Sequence, residues 1–234
     1  MKVVIALSVA CLAVTAVPVL GQVLVYSNDF EGAVGSEWSQ TATDVTPIGA
    51  RRFLGEFCSE SVSLALGGLQ PHVTLTVNFD LFIIASMDGN CVINLWDQHV
   101  GPDIWGLTID GSSILHTTFS NLDDTPGWSQ NQAYPETYPG GDFPPTTGAV
   151  ESETLGFQWH DSVYHLAFAV PHSDESALIR FTGDFQDVHT GYEGLGESWG
   201  LDNVQVRVTV PEPSAILALL FGLGGVVLQS RRKK

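Results

Sequence analysis

Between Lys2 and Lys233 the chain contains no lysine, and its only arginines before residue 231 are Arg51, Arg52, Arg180 and Arg207. Acids are abundant over the same stretch: of 26 Asp and Glu residues, only Glu212 lies outside residues 22–209. That body therefore sets 25 acids against four bases, a formal charge of −21. Such a surface repels phosphate backbones and anionic lipid heads, which excludes nucleic acid as a partner. It also keeps an exported protein soluble and offers hard oxygen ligands to a cation such as calcium.

Cysteine is scarce too, with Cys11 near the N-terminus and Cys58 and Cys91 in the body. The spacing excludes a zinc ribbon and a redox CxxC. In an oxidising compartment Cys58 and Cys91 form either a disulfide, which contributes about 3–4 kcal/mol through chain entropy, or two buried thiols. Both alternatives stay open at this stage.

No body segment has a sustained apolar stripe at helical spacing, and the charge-free runs sit at the two ends. At the N-terminus, MKVVIALSVACLAVTAVPVLGQ has one basic residue, an apolar stretch from Val3 to Val17, and small residues before a cut between Gly21 and Gln22. This is the pattern of a secretory signal peptide over residues 1–21, since the run is shorter than the roughly 20 residues a spanning helix needs. At the other end, residues 214–228 are uncharged and are followed by RRKK. A short transmembrane helix is expected there, with the basic tail on the cytoplasmic side and the acidic body outside.

The body, 22–209, reads as strands. In HVTLTVNFDLFIIA the residues Val73, Leu75, Val77, Phe79, Leu81 and Ile83 share one side, and VYHLAFAV and VQVRVTV alternate in the same way. VLVYS, SVSLALG, CVINLW, IWGLTID, ILHTTF and ALIRFTG are shorter candidates. Many short strands with turn residues between them predict an all-β fold, two antiparallel sheets packed as a β-sandwich or jelly roll. The apolar set changes parity between Leu201 and Val204, which predicts a bulge at Asp202 and Asn203. Residues 120–153 hold five of the 12 prolines together with Trp128, Tyr134, Tyr138 and Phe143, and read as a long loop. Those aromatics either stack on sugar rings or staple the loop to the sheet.

Catalytic signals are weak. Glu151 and Glu153 have the two-residue spacing that would bring paired carboxylates together on a strand, but lack the wider acidic pattern of lectin-fold glucanases. His160 and His165 fall on opposite strand faces, no nucleophile elbow is present, and Asp88 and Asn90 in SMDGN read most simply as turn residues. No catalytic residue is assigned.

Val210, Pro211, Glu212, Pro213 and Ser214, followed by a short apolar run and terminal arginines, resemble the PEP-CTERM sorting signal of exosortase substrates. The resemblance implies that Pro211, Glu212 and Pro213 are read by an exosortase, and that the helix and basic tail retain the protein in the membrane until processing. NDFEG, RFLGEF, FDLFIIASMDGN, GPDIWGLTIDG, DSVYHLAF and ESWGLDNVQV resemble, in order, bacterial PEP-CTERM proteins with a lectin-like, jelly-roll body. Met87 departs from that pattern, which favours Trp there. The likeness implies a non-catalytic cell-surface or extracellular-matrix protein that binds polysaccharide. A glycan-active hydrolase and a self-associating surface protein are the alternatives. In jelly-roll carbohydrate-binding modules an acid after the first strand and an Asp in the last often share a structural calcium, which makes Asp29, Glu31 and Asp202 the candidate ligands.

Overall fold

The computed structural model describes residues 20–92, 100–121, 130–185 and 196–211. The sorting triplet beyond Pro211, the apolar run 214–228 and all but the last two residues of the expected leader lie outside them. The described residues hold no helix, and hence none able to cross a membrane. They form β1 (Leu20–Asn28), β2 (Thr43–Val45), β3 (Arg52–Phe57), β4 (Ser61–Gly67), β5 (Thr74–Ile84), β6 (Ile104–Ile109), β7 (Ser112–Thr118), β8 (Glu151–Ser152), β9 (Asp161–Pro171), β10 (Ser176–Asp184) and β11 (Ser198–Pro211).

Two antiparallel sheets result, as the alternation predicts. The larger has the order β2-β3-β11-β5-β9-β8, with β1 also on β11; the smaller has the order β4-β10-β6-β7. β11 organises the larger sheet because its two halves have different neighbours along one edge: β3 pairs with Trp199 and Leu201, and β1 with Val204 to Pro211. The switch falls where the β11–β5 register slips between Asp202 and Gln205, at Asn203 with φ 51°. This is the expected bulge. It turns the strand so that Trp199 and Leu201 on one side of it, and Val204, Val206 and Val208 on the other, all reach the core.

The core lies between the sheets. Leu75, Val77, Phe79, Leu81 and Ile83 of β5 face Ile179 and Phe181 of β10 and Trp105 and Leu107 of β6, all fully buried. Phe79 meets Phe181 edge-on at 5.2 Å, and Trp105 meets Trp199 edge-on at 5.9 Å. Val73 does not belong to this face: β5 begins one residue later and Val73 is exposed. A second, smaller core lies on the outer side of the large sheet, where Phe53, Phe82, Ile84, Ala85, Leu155 and Val163 cluster with Phe157 against them. It explains why Phe82 and Ile84 break the polar alternation of β5.

Three further expectations change. Cys91 and Val92 are not in a strand, and the rest of CVINLW lies outside the described residues. The described part of 120–153 is tied down by the Gln132↔Phe143 bridge and ends in β8. Tyr134 staples it to the core, at 5.0 Å from Phe119 and 5.4 Å from Tyr164. Finally, no disulfide joins Cys58 and Cys91, so that alternative is corrected. Separate anchors hold them: the Cys58 carbonyl accepts from Trp199 Nε1 at 2.9 Å, whereas Cys91 N donates to the Asp88 carbonyl at 3.1 Å. Burial pushes the Cys58 thiol up, and the charges of Glu56 and Glu60 add to the rise, which suits an inert thiol.

Candidate functional site

The turn before β9 is built around one carboxylate. Asp161 is buried, and its Oδ1 accepts from the backbone N–H groups of Thr154 at 2.9 Å and Leu155 at 3.0 Å. Its Oδ2 accepts from Gly156 at 2.8 Å and Phe157 at 3.1 Å. Four peptide dipoles thus converge on one charge, which offsets the cost of burying it and fixes the course of 154–157. Leu155 and Phe157 add the apolar half of the anchor through the second core.

That turn holds two bulky residues at positive φ, Trp159 at 65° and His160 at 79°. Such residues rarely adopt this conformation, and it persists only where the surroundings enforce it. Here the Asp161 cradle lies on one side, and on the other the His160 carbonyl accepts from Ala85 N while its Nδ1 meets Glu153 at 2.6 Å. The consequence is an indole presented to solvent. Trp159 is 56 % exposed, whereas the other exposed large apolar side chains among the described residues are aliphatic.

The chain neighbour of Trp159, Gln158, lines a groove of about 300 Å³, together with Pro47, Glu56, Ile84, Ala85, Gly156, Phe157 and Gly196. Glu56 is the one carboxylate in that lining. Burial pushes its carboxyl above the ordinary range, against the hydrogen bond donated by the Ser198 hydroxyl, and the charge of Asp44 adds to the rise. An apolar wall with an amide and a carboxyl can grip a sugar ring, and the exposed indole of Trp159 follows that amide in the chain.

The residues singled out by sequence for calcium lie at the β11 bulge. Asp29 and Asn203 line a shallow polar depression there, but the Asp202 carboxylate does not. Asp202 instead faces Arg51 Nη2 at 3.8 Å, and its Oδ1 accepts from Asn203 N at 2.7 Å. Burial pushes Asp202 up to about 6; the Asn203 N–H and Arg51 oppose the rise, and the charges of Asp80 and Glu31 add to it. Asp29 Oδ1 accepts from Glu31 N, and Glu31 Oε1 accepts from Arg52 N. Glu151 is taken by Arg51 at 3.0 Å, and Glu153 by His160. His165 pairs with Asp80 at 2.8 Å, well apart from His160 in partner and strand position.

A different trio does come together. Asp88, Asp103 and Glu197 are all buried and place a carboxylate oxygen each within 4.8 Å of the others. Asp88 does open the turn that SMDGN suggests, its carbonyl accepting from Cys91 N at 3.1 Å, and its carboxylate also joins this cluster. Its turn does need Gly89, which sits at φ 64° with the Asn131 carbonyl 2.5 Å from where a Cβ would stand. Met87 beside it is a core residue.

Residues 209–233 match the family described as PEP-CTERM protein-sorting motif. The chain carries a PEP-CTERM sorting motif. The match covers the C-terminal segment and leaves the sandwich unassigned. No curated protein matches the chain. Among solved structures, dimeric latent PorU from Porphyromonas gingivalis shares 11 % identity at a TM-score of 0.43, over 86 % of this chain and 14 % of that one. A family 35 carbohydrate binding module from Clostridium thermocellum shares 9 % at 0.34, over 80 % and 97 %. One from an environmental isolate shares 8 % at 0.37, over 81 % and 100 %. At these scores the likenesses carry no weight for function.

Proposed function

We propose that this is an exported, exosortase-processed surface protein whose β-sandwich binds polysaccharide without turning it over. The PEP-CTERM motif supports the first half. Under this reading residues 1–21 direct export, 214–228 hold the protein in the membrane, and Pro211, Glu212 and Pro213 are where an exosortase acts. Leu20 and Pro211 are cross-strand partners, so both segments leave the sandwich from the same end of one sheet. The acidic body stands clear of anionic lipid on the outer side.

The exposed Trp159, next in the chain to the groove-lining Gln158, carries the second half. A sugar stacking on the indole gains apolar contact, while Gln158 and Glu56 offer hydrogen bonds to its hydroxyls. Hydrolysis by the usual route takes two carboxylates, roughly 5–10 Å apart, and the groove lining supplies Glu56 alone. In a glycan array with the full chain in detergent, Trp159→Ala is expected to weaken binding about tenfold, or 1.4 kcal/mol, with an unchanged Tm. Equal binding by the variant rejects the site. Release of reducing sugar from the bound glycans would favour the hydrolase reading instead, and growth of particle size with concentration without glycan binding would favour self-association. For the sorting half, Glu212→Ala is expected to leave full-length protein in the inner membrane of a host that has an exosortase; normal release rejects it.

A further inference from the structure

We infer that the facing ring nitrogens of His72 and His172 bind one zinc ion, with Asp110 positioning His172 for it. Both imidazoles are buried: His72 is 5 % exposed and the His172 side chain 6 %. His72 Nε2 and His172 Nδ1 stand 2.7 Å apart, with the ring planes 15° from parallel. Ring centroids 5.0 Å apart place the rings edge to edge through those nitrogens rather than face over face. Partners at the far nitrogens fix the protons. His72 Nδ1 lies 2.6 Å from the Gln70 carbonyl, which can only accept, so the proton of the neutral ring is assigned there and Nε2 is bare. His172 Nε2 lies 3.0 Å from the Asp110 carboxylate, which accepts in the same way and leaves Nδ1 bare. Two lone pairs therefore meet across a gap that calls for an electron-poor centre.

Each histidine thus has the arrangement of a metal ligand, one nitrogen aimed at its fellow and the other N–H held by a carbonyl or carboxylate that fixes tautomer and ring orientation. A further hydrogen bond, from Leu178 N to Asp110 Oδ1 at 2.8 Å, holds that carboxylate in turn. A shared proton would relieve the lone pairs as well, but two features favour the larger charge. The cavity of about 270 Å³ that His172 lines with Asp110 and Asp174 gives water room to complete the coordination. The charged residues in that lining are acids, in a body of formal charge −21, and such a field draws in a dication more strongly than a single proton.

Donor type and distance select the ion. Imidazole suits zinc, copper and nickel rather than calcium or magnesium, and zinc accepts a tetrahedron of any nitrogen and water ligands. At zinc–nitrogen distances of about 2.0–2.1 Å, two ligands of a tetrahedral ion stand roughly 3.3 Å apart, so the nitrogens must part by about 0.6 Å. Neither residue is held in a strand: His72 lies in the β4–β5 connection, and His172 directly follows β9. Both connections pass between the sheets, and Asp110 lies in the β6–β7 turn of the smaller one, so the ion would tie the two sheets together. The tie lies at the end from which Pro211 leaves, since Val73 N donates to the Thr209 carbonyl at 2.9 Å. Ile84, at the other end of β5, lines the sugar groove, so this site stands apart from the sugar reading.

The full chain in detergent, stripped with EDTA, freed of chelator and titrated with zinc chloride alone at pH 7.5, is expected to bind zinc in a calorimetric step of one ion per chain. At a hundredfold excess over Kd, Tm is expected to rise by about 5–10 °C. His172→Gln is expected to abolish both the step and the rise. Asp110→Asn keeps one oxygen where two are used and removes the charge behind His172, so Kd is expected to weaken about tenfold. His165→Gln, which removes an exposed histidine paired with Asp80 and facing no second imidazole, is expected to leave Kd unchanged. Absence of a stoichiometric step in the unmodified chain overturns the proposal and assigns the place between the rings to a proton. A zinc shift that survives His172→Gln overturns it as well, as does an unchanged Kd in Asp110→Asn. If His172→Gln does not fold, the stoichiometry and the Asp110→Asn Kd still decide.

Discussion

Two buried acids in this molecule, Asp202 and Asp161, face the same electrostatic problem and meet it differently. At the β11 bulge, Asp202 is buried within the influence of Asp80 and Glu31, and a cation from the chain, Arg51, stands 3.8 Å away with Glu151 on its other side. In the turn before β9, Asp161 is buried and four backbone N–H groups, those of Thr154, Leu155, Gly156 and Phe157, converge on its carboxylate. A body with four arginines and no lysine cannot supply a guanidinium to every buried carboxylate. The difference teaches that an acidic protein uses its few cations where sheet faces bring acids together, and leaves a connection to backbone N–H groups, as at Asp161.

Arg51 carries the largest expected effect in that comparison. Its Nη1 donates to both oxygens of Glu151 at 3.0 and 3.1 Å, its guanidinium stacks 4.7 Å from the Phe82 ring, and it opposes the rise at Asp202. Arg51→Ala should therefore cost about 2–3 kcal/mol at pH 7, read from urea unfolding, because it leaves Asp202 buried without its counter-charge. Loss below about 0.5 kcal/mol would mean that Arg51 is a solvated surface residue like any other.

Next comes Asp202→Asn. With its folded pKa raised from 3.8 to about 6, Asp202 binds its proton more tightly in the folded chain than in the unfolded one. Its contribution to stability is fully present below about pH 3.8 and is lost as pH rises through about 6. At pH 7 the charged form works against folding, so Asp202→Asn should raise Tm by about 2–4 °C there. The gain should vanish near pH 4, which flattens the pH profile between 4 and 6. A gain independent of pH would assign the effect to something other than the charge.

What the sequence made legible follows from periodicity. Alternation in Leu75 to Ile83 and in Val204 to Val208 located the core faces, and the parity change from Leu201 to Val204 located the bulge, because a sheet translates odd and even positions directly into inside and outside. The second core escaped notice since Phe82 and Ile84 look like a break in the pattern until Leu155 and Phe157 cover them. Trp159 escaped too: its exposure comes from a positive-φ turn enforced by Asp161, and no spacing rule encodes that. Asp88, Asp103 and Glu197 are carried by three connections whose meeting depends on strand order, which a single sequence does not state. Asp29, Glu31 and Asp202 drew attention because they flank the first and last strands, and those strands do pair. The bulge, however, turns Asp202 toward Arg51 and Asn203 toward the depression that Asp29 lines.

That geometry makes the smallest effect the sharpest control. Asp29 and Glu31 are both exposed, and each makes local backbone contacts, Asp29 to Glu31 N and Glu31 to Arg52 N. Asp29→Asn keeps an oxygen for the Glu31 N–H and removes one charge in water, so stability at pH 7 should stay within about 0.5 kcal/mol. The same substitution lies one strand away from the one that raises Tm at Asp202. If Asp29→Asn instead lowered Tm by several degrees in calcium and not in EDTA, a calcium ion would reside at the bulge, and Arg51 would not be the sole balance of the acids there.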